Sequence, residues 1–229
     1  MPAKNSRKEF VENSYYHVYN RGVEKRSIFV DDMDYAVFMS YLKNYLIPKD
    51  EDFLQETLSS PNSTPKQKSD ALRLLRLNNF SNSIDLIAYC LMTNHFHFLI
   101  KQTPTWGIDS FMNSLMTRYT MYFNKRHKRV GHLFQGNYKA VQVETEEQLL
   151  HLSRYIHQNP TSKGVAFQSY PHSSYLQYLT DQPSEWIKPT DVLTYFSKKG
   201  FNSYASFVGD SYSYDSLISV AKRFYLKKK

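Results

Sequence analysis

Cysteine occurs once, at Cys90, so the chain can close no internal disulfide and cannot build a cysteine-based zinc cluster. The apolar neighbours Ile87, Ala88, Tyr89, Leu91 and Met92 predict that this thiol is buried. Glycine is scarce too: there are 7. Neither the GxGxxG dinucleotide turn nor the GxxxxGK[ST] phosphate loop occurs, which argues against a Rossmann enzyme and a P-loop ATPase. No apolar run approaches the ~18 residues needed to span a bilayer. The opening segment MPAKNSRKEFVENSYY lacks the apolar centre of a secretory signal. A soluble, cytoplasmic protein with no membrane partner is expected. Acid is missing from one long stretch, with no Asp or Glu between Asp109 and Glu144.

That stretch is rich in cations and aromatics. Arg118, Lys125, Arg126, Lys128, Arg129 and Lys139 alternate with Tyr119, Tyr122, Phe123, Phe134 and Tyr138. Cations neutralise phosphates and aromatic faces stack on unpaired bases, so the mixture suits single-stranded nucleic acid. A solvated basic helix with its aromatics in the core reads the same way. Over the whole chain, 29 Lys+Arg against 21 Asp+Glu give +8, and a second cluster, Lys222, Arg223, Lys227, Lys228 and Lys229, forms a basic tail. With 229 residues, 41% hydrophobic and 16% aromatic, the chain can build one full domain with an appendage.

Pattern and punctuation predict the order of elements. Tyr15–Arg21 reads as a strand ending at Gly22. Asp31–Leu46 reads as a helix with Asp31 or Asp32 as N-cap and Pro48 as its stop. Residues 48–80 read as a variable excursion with one small helix around 71–77. Ile84–Met92 and His95–Lys101, joined by Thr93-Asn94, read as a hairpin. A long helix over about 108–128, a strand over 137–143 and a helix over 146–157 follow, the last stopped at Asn159-Pro160. Strand, helix, strand, strand, helix, strand, helix is the ferredoxin-like split βαβ arrangement, an α+β fold with helices on one face of an antiparallel sheet. This core is assigned to residues 14–168. Residues 169–229 are assigned to a mostly helical and irregular C-terminal extension, with helical patches at 191–197 and 216–225.

Two residues apart in a strand, His95 and His97 project from the same face, while Phe96, Phe98 and Ile100 face the helix layer. Two converging imidazoles suit a divalent metal with positions open for a third ligand and a substrate oxygen; two surface histidines give the same pattern. His17, His127, His132, His151, His157 and His172 form no comparable pair, and there is no HExxH. Tyr155 and Asn159 are one helical turn apart, beside the Leu149, Leu152 and Ile156 stripe. The Asn159 amide oxygen is a candidate third ligand and Tyr155 a candidate phenol. Among 19 tyrosines chemistry alone does not select Tyr155, and Tyr119 and Tyr122 are rivals.

Four segments, YYHVYNRGVEKRSIF (15–29), IAYCLMTNHFHFLIK (87–101), MTRYTMYFNKRHKRVGHLFQGNYKA (116–140) and HLSRYIHQNPTSKGV (151–165), resemble the REP-associated tyrosine transposases of the His-hydrophobic-His single-strand nuclease superfamily. YPHSSYLQYL (170–179) resembles the segment that follows the core in that family. The resemblance implies metal-dependent cleavage and rejoining of hairpin-bearing single-stranded DNA. In it, His95 and His97 match the paired histidines, Asn159 the third metal ligand and Tyr155 the nucleophile, forming a 5′-phosphotyrosine. It implies Mg²⁺ or Mn²⁺, no nucleotide cofactor, a monomer or homodimer, and a place with the bacterial nucleoid. Asn20, Arg21, Arg118, Arg126 and Arg129 are the expected DNA contacts. The base for the phenol proton is open, with His157 one candidate. A domesticated relative that binds DNA or RNA hairpins without cutting is the competing expectation.

Overall fold

The computed structural model describes residues 9–210. Strand β1 (Ser14–Arg21) leads through a tight loop to helix α1 (Asp32–Leu46). The Asp31 carboxylate caps α1 by accepting the Met33 and Asp34 N–H groups, and the helix stops at Ile47, ahead of Pro48. Its inward stripe buries Phe38, Leu42, Tyr45 and Leu46. The excursion holds two helices rather than one: α2 (Glu51–Ser59) and α3 (Pro65–Arg76). α2 buries no residue, and its three apolar side chains, Phe53, Leu54 and Leu58, give too short a pattern to read as a helix. α3 starts well before the expected patch because Thr64 and Gln67 form a reciprocal capping box with Pro65 in the first turn.

The hairpin follows as β2 (Ile84–Met92) and β3 (His95–Gln102), then α4 (Gly107–Arg126), β4 (Lys139–Val143) and α5 (Glu146–Gln158). The four strands form one sheet in the order β2-β3-β1-β4, every neighbouring pair antiparallel. This is the ferredoxin-like α+β arrangement expected from the element order.

Alternation along the strands divides the molecule into two apolar layers. Val18, Phe96, Phe98 and Ile100 pack with Phe38 and Leu42 of α1 and with Phe111, Leu115 and Tyr119 of α4. Each such large side chain removed from water contributes roughly 1.5–3 kcal/mol. A bulge in β2 between Leu86 and Ala88 turns Ile87 and Ala88 to the opposite face, where Cys90, Met92 and Leu99 also lie. That second face is covered by Leu149 and Ile156 of α5 and by Phe167, Tyr175, Tyr178, Val192, Tyr204 and Val208. The two helices of the split βαβ unit thus share one face as expected, and α5 with the C-terminal segment adds a layer on the other. Cys90 is buried there, as its neighbours predicted, and burial pushes its thiol pKa up.

The C-terminal segment is tied in by hydrogen bonds as well as by packing. The Leu91 N–H donates to the His172 carbonyl, Ser174 N–H to Tyr89, and Lys188 N–H to Leu86, so the outer edge of β2 is covered. Within it the expected 191–197 helix shrinks to α6 (Thr190–Leu193), and a further short helix, α7 (Tyr204–Gly209), packs under α5. The expected helix at 216–225 and the basic tail fall outside the described residues. Among the described residues no helix is long and apolar enough to cross a membrane.

Candidate active site

The two central strands carry the site on the face that meets α5. In the antiparallel register Tyr19 lies opposite His97 and Arg21 opposite His95. The His95 and His97 rings stand 5.1 Å apart at 85°. Tyr19 stacks on His97 at 5.7 Å, and from the diagonal position His17 brings Nε2 within 2.8 Å of Nδ1 of His97. Asn94, in the hairpin turn, has Oδ1 2.7 Å from Nδ1 of His95.

α5 brings the remaining groups. Thr145 caps its start by accepting the Gln148 N–H. Its rotation is fixed by neighbours of Tyr155. The buried Arg154 guanidinium donates to the Phe207 carbonyl and lies over the Phe207 ring, and Gln158 donates to the Val208 carbonyl. His157, fully buried, has Nδ1 2.7 Å from the Tyr204 hydroxyl and Nε2 2.7 Å from Oγ of Ser174. With both nitrogens committed inside the C-terminal layer, His157 is not the base considered for the phenol. So held, the helix turns Tyr155 to the sheet, its ring 5.5 Å from that of His97 and 6.0 Å from that of His17, both edge-on. Asn159 keeps helical backbone angles instead of ending the turn, and a 3₁₀ segment continues to Lys163. Its Oδ1 thereby reaches 3.1 Å from Nε2 of His95.

His95, Tyr155 and Asn159 line one open cavity of about 480 Å³. Four cations, Arg21, Lys25, Lys139 and Lys163, line it as well, so its field attracts an anionic strand. Burial lowers the pKa of His95, drives that of His97 well below its ordinary value and lowers that of His17 to about 3. All three imidazoles are therefore neutral at neutral pH, the form that ligates metals.

Among the described residues no group of three or more His, Cys, Asp or Glu side chains is placed to hold a metal ion, so a metal here needs the amide as well as the imidazoles. The donors fit one. Asn94 Nδ2 donates to the Lys25 carbonyl, which turns its Oδ1 toward Nδ1 of His95. Nε2 of His95 stands 3.1 Å from Asn159 Oδ1, so both atoms could face one cation when Nε2 carries no proton. Two ligands at right angles, each about 2.1 Å from one cation, lie about 3.0 Å apart.

The expected DNA contacts divide. Asn20 and Arg21 line the cavity, with Arg21 Nε held by Gln135 and Asn20 Nδ2 donating to the Gly136 carbonyl. Arg118, Arg126 and Arg129 do not line it. Arg126 forms ion pairs with Asp31 (2.7 Å) and Asp34 (2.6 Å), Arg118 lies over the Tyr41 ring at 3.8 Å, and Arg129 donates to Asn124. Arg126 and Arg118 are thus engaged with α1 and Arg129 with the end of α4, and none of the three lies at the cavity. Tyr119, Phe123, Phe134 and Tyr138 are buried in the core, so the aromatic half of the 109–144 pattern is packing rather than stacking platform. The rival phenols are spent: Tyr119 donates to the Ile28 carbonyl at 2.6 Å and Tyr122 to Asp34.

Sequence reasoning missed His17, Lys25 and Lys163, and had Lys139 only as one cation of the basic stretch at 109–144. The period-two alternation of β1 already set His17, Tyr19 and Arg21 on one face; only the register with β3 connects that face to His97. The lysines come from a loop, a strand edge and a 3₁₀ turn and share no local pattern.

Residues 65–159 match the model of a family described as "Transposase IS200 like". That match bears out the transposase resemblance read from the sequence. None of the curated proteins compared with the chain matches it. Among solved structures, the chain is similar to a REP-associated tyrosine transposase bound to a REP hairpin, at 12% identity, covering 82% of this chain and 92% of that one, with a TM-score of 0.49. It is also similar to a proposed transposase of Deinococcus radiodurans, at 16% identity, 67% and 96% coverage and a TM-score of 0.28.

Proposed function

We propose, with the match of residues 65–159 to the IS200-like transposases as premise, that this chain cleaves and rejoins hairpin-bearing single-stranded DNA through Tyr155. The observation that carries the reading is the meeting of His95, Tyr155 and Asn159, from β3 and the end of α5, at one cation-lined cavity, with the His97 ring beside those of His95 and Tyr155.

Each residue has a task. Arg21, Lys25, Lys139 and Lys163 take the phosphates of an extended strand by charge alone, without reading sequence. His95, His97 and Asn159 would hold Mg²⁺ or Mn²⁺, the second being the better match for imidazole donors. When bound, the ion supplies Lewis-acid stabilisation of the charge on the transferring phosphoryl group. The Tyr155 phenol, a weak nucleophile at its ordinary pKa near 10, attacks the phosphorus. The Oη–P bond forms, the P–O3′ bond breaks, the phenol gives up its proton and the released 3′ oxygen takes one up. One phosphodiester is exchanged for another, so the reverse step joins strands without nucleotide fuel.

The test is a panel of labelled single-stranded hairpin oligonucleotides incubated with Mn²⁺ and run on denaturing gels. A covalent protein–DNA adduct that disappears in Tyr155→Phe and on chelation supports the reading. An adduct that persists in Tyr155→Phe removes Tyr155 as the nucleophile. Tight hairpin binding without an adduct on any member of the panel makes the chain a binding protein instead.

A further inference from the structure

The two imidazoles are each engaged at Nδ1 by a side chain that is not itself at the cavity's chemistry. For His95 that side chain is Asn94, and Asn94 is held three times over. Its backbone carbonyl accepts the Gly22 N–H at 2.9 Å, its Nδ2 donates to the Lys25 carbonyl at 3.2 Å, and its Oδ1 lies 2.7 Å from Nδ1 of His95. The loop that supplies the first two partners is unusual: Glu24 and Lys25 both take left-handed backbone angles, φ 55° and 61°. That conformation is maintained where the Lys25 carbonyl meets Asn94. The same loop grips the neighbouring turn residue, since the Ile28 and Phe29 N–H groups both donate to the Thr93 carbonyl.

For His97 the partner is His17. Their rings lie 25° from parallel, with centroids 5.0 Å apart, and the Nε2–Nδ1 contact of 2.8 Å holds a single proton. Since Nδ1 of His97 is taken, the nitrogen left for anything else is Nε2. It offers a lone pair only when the shared proton sits on His97 and His17 accepts.

We infer that Asn94 and His17 are positioning residues that lock both His95 and His97 as Nδ1–H tautomers, so that both rings present the Nε2 lone pair. Asn94 acts from the turn and His17 from the adjacent strand; the loop at 22–29 orients Asn94. The inference rests on the reading of His95 and His97 as ligands, but its primary observable is the protonated nitrogen of each ring, which is measured without metal.

Long-range ¹H–¹⁵N spectra of histidine-labelled, metal-free protein read that nitrogen directly. Both His95 and His97 are expected in the Nδ1–H form; an Nε2–H form at either ring overturns the assignment for that ring. Mn²⁺ titration followed by electron paramagnetic resonance gives the second readout. His17→Leu, which fills similar space without an acceptor, is expected to move the His97 proton to Nε2 and weaken Mn²⁺ binding by about 10–100-fold. His17→Gln, whose amide oxygen reaches the same point, is expected to restore most of that loss, which a packing role alone would not. If His17→Leu folds and keeps wild-type Mn²⁺ affinity and an Nδ1–H His97, His17 has no positioning role. Should His17→Leu fail to fold, the wild-type spectrum and the His17→Gln titration still decide. A wild-type chain with both rings Nδ1–H that binds no Mn²⁺ would overturn the metal reading of the site while leaving the tautomer assignment in place.

Discussion

Sixty-four residues apart in the chain, His95 and Asn159 meet with Nε2 of one 3.1 Å from Oδ1 of the other. The contact exists because the chain keeps helical backbone angles through Asn159, the cap of α5, although a proline follows. Pro160 stands in the first turn of the 3₁₀ segment, where its missing N–H costs nothing, so Asn159 stays in helical register with Tyr155. Asn159→Ala is therefore expected to weaken Mn²⁺ binding by at least about tenfold, since a direct ligand counts for no less than an outer partner. Hairpin binding measured without metal is expected to stay intact, and calorimetric titration of the metal alone checks the first point.

The cations around the cavity predict a second contrast. Lys25→Ala, Lys139→Ala and Lys163→Ala are each expected to weaken single-stranded DNA binding uniformly across sequences. Each should also flatten the slope of log K against log salt by about 0.7. Arg126→Ala is expected to leave that slope alone and to lower Tm, because it strips Asp34 of its guanidinium partner. Fluorescence anisotropy over a salt series and thermal unfolding separate the two classes.

Two tyrosines should behave oppositely when the hydroxyl is removed. Tyr119→Phe deletes a buried hydrogen bond to the Ile28 carbonyl and is expected to cost about 1–2 kcal/mol of stability while adduct formation persists. Tyr155→Phe is expected to abolish the adduct. Denaturant unfolding and the gel assay on both variants give the comparison.

Acid should loosen the junction of α1 and α4. The Arg126 guanidinium lowers the Asp31 carboxyl from 3.8 to about 2. Burial raises the Asp34 pKa, but the Val30 N–H, Arg126 and His127 together bring it below 3.8. Both carboxyls bind protons less readily folded than unfolded. The contribution of Asp31 is complete above pH ~4 and is lost as pH falls through about 2, and that of Asp34 is likewise lost as pH falls below the ordinary carboxyl range. Asp34→Asn is expected to give a shallower fall in stability on acidification below pH ~4, read by urea unfolding at a series of pH values.

Gly22 marks the approach of two backbone segments. A Cβ there would sit 2.2 Å from the Arg26 carbonyl oxygen, which cannot yield without moving the loop. Gly22→Ala is expected to keep the sheet but shift the Lys25 carbonyl away from Asn94, so the His95 ring proton ceases to be confined to Nδ1. Imidazole ¹⁵N spectra report that shift directly.

The core was legible in the sequence where local chemistry is strong. Asp31 as a cap, Pro48 as a stop and the two-residue turn at Thr93-Asn94 gave element boundaries close to those observed. The pairing of His95 with His97 follows from strand periodicity, and that of Tyr155 with Asn159 from helical periodicity. What was not legible depends on register and long-range pairing. Whether Arg126 meets a phosphate or Asp34 is decided by a helix packed 92 residues away, and the role of His17 by its diagonal neighbour across a strand pair. The same basic and aromatic letters serve a nucleic-acid groove or a helix junction, and only the fold separates them.

The order in which the chain leaves the ribosome also matters. β1 is made first but sits between β3 and β4, so it has no strand partner until residue 95 and beyond has been synthesised. The phenol at 155 and the amide at 159 come later still. A nascent chain interrupted before them would hold paired imidazoles and part of the cationic rim, yet have no group with which to attack a strand. The proposed cleavage chemistry would in this way wait for the last core helix to close over the sheet, a contact between segments far apart in sequence.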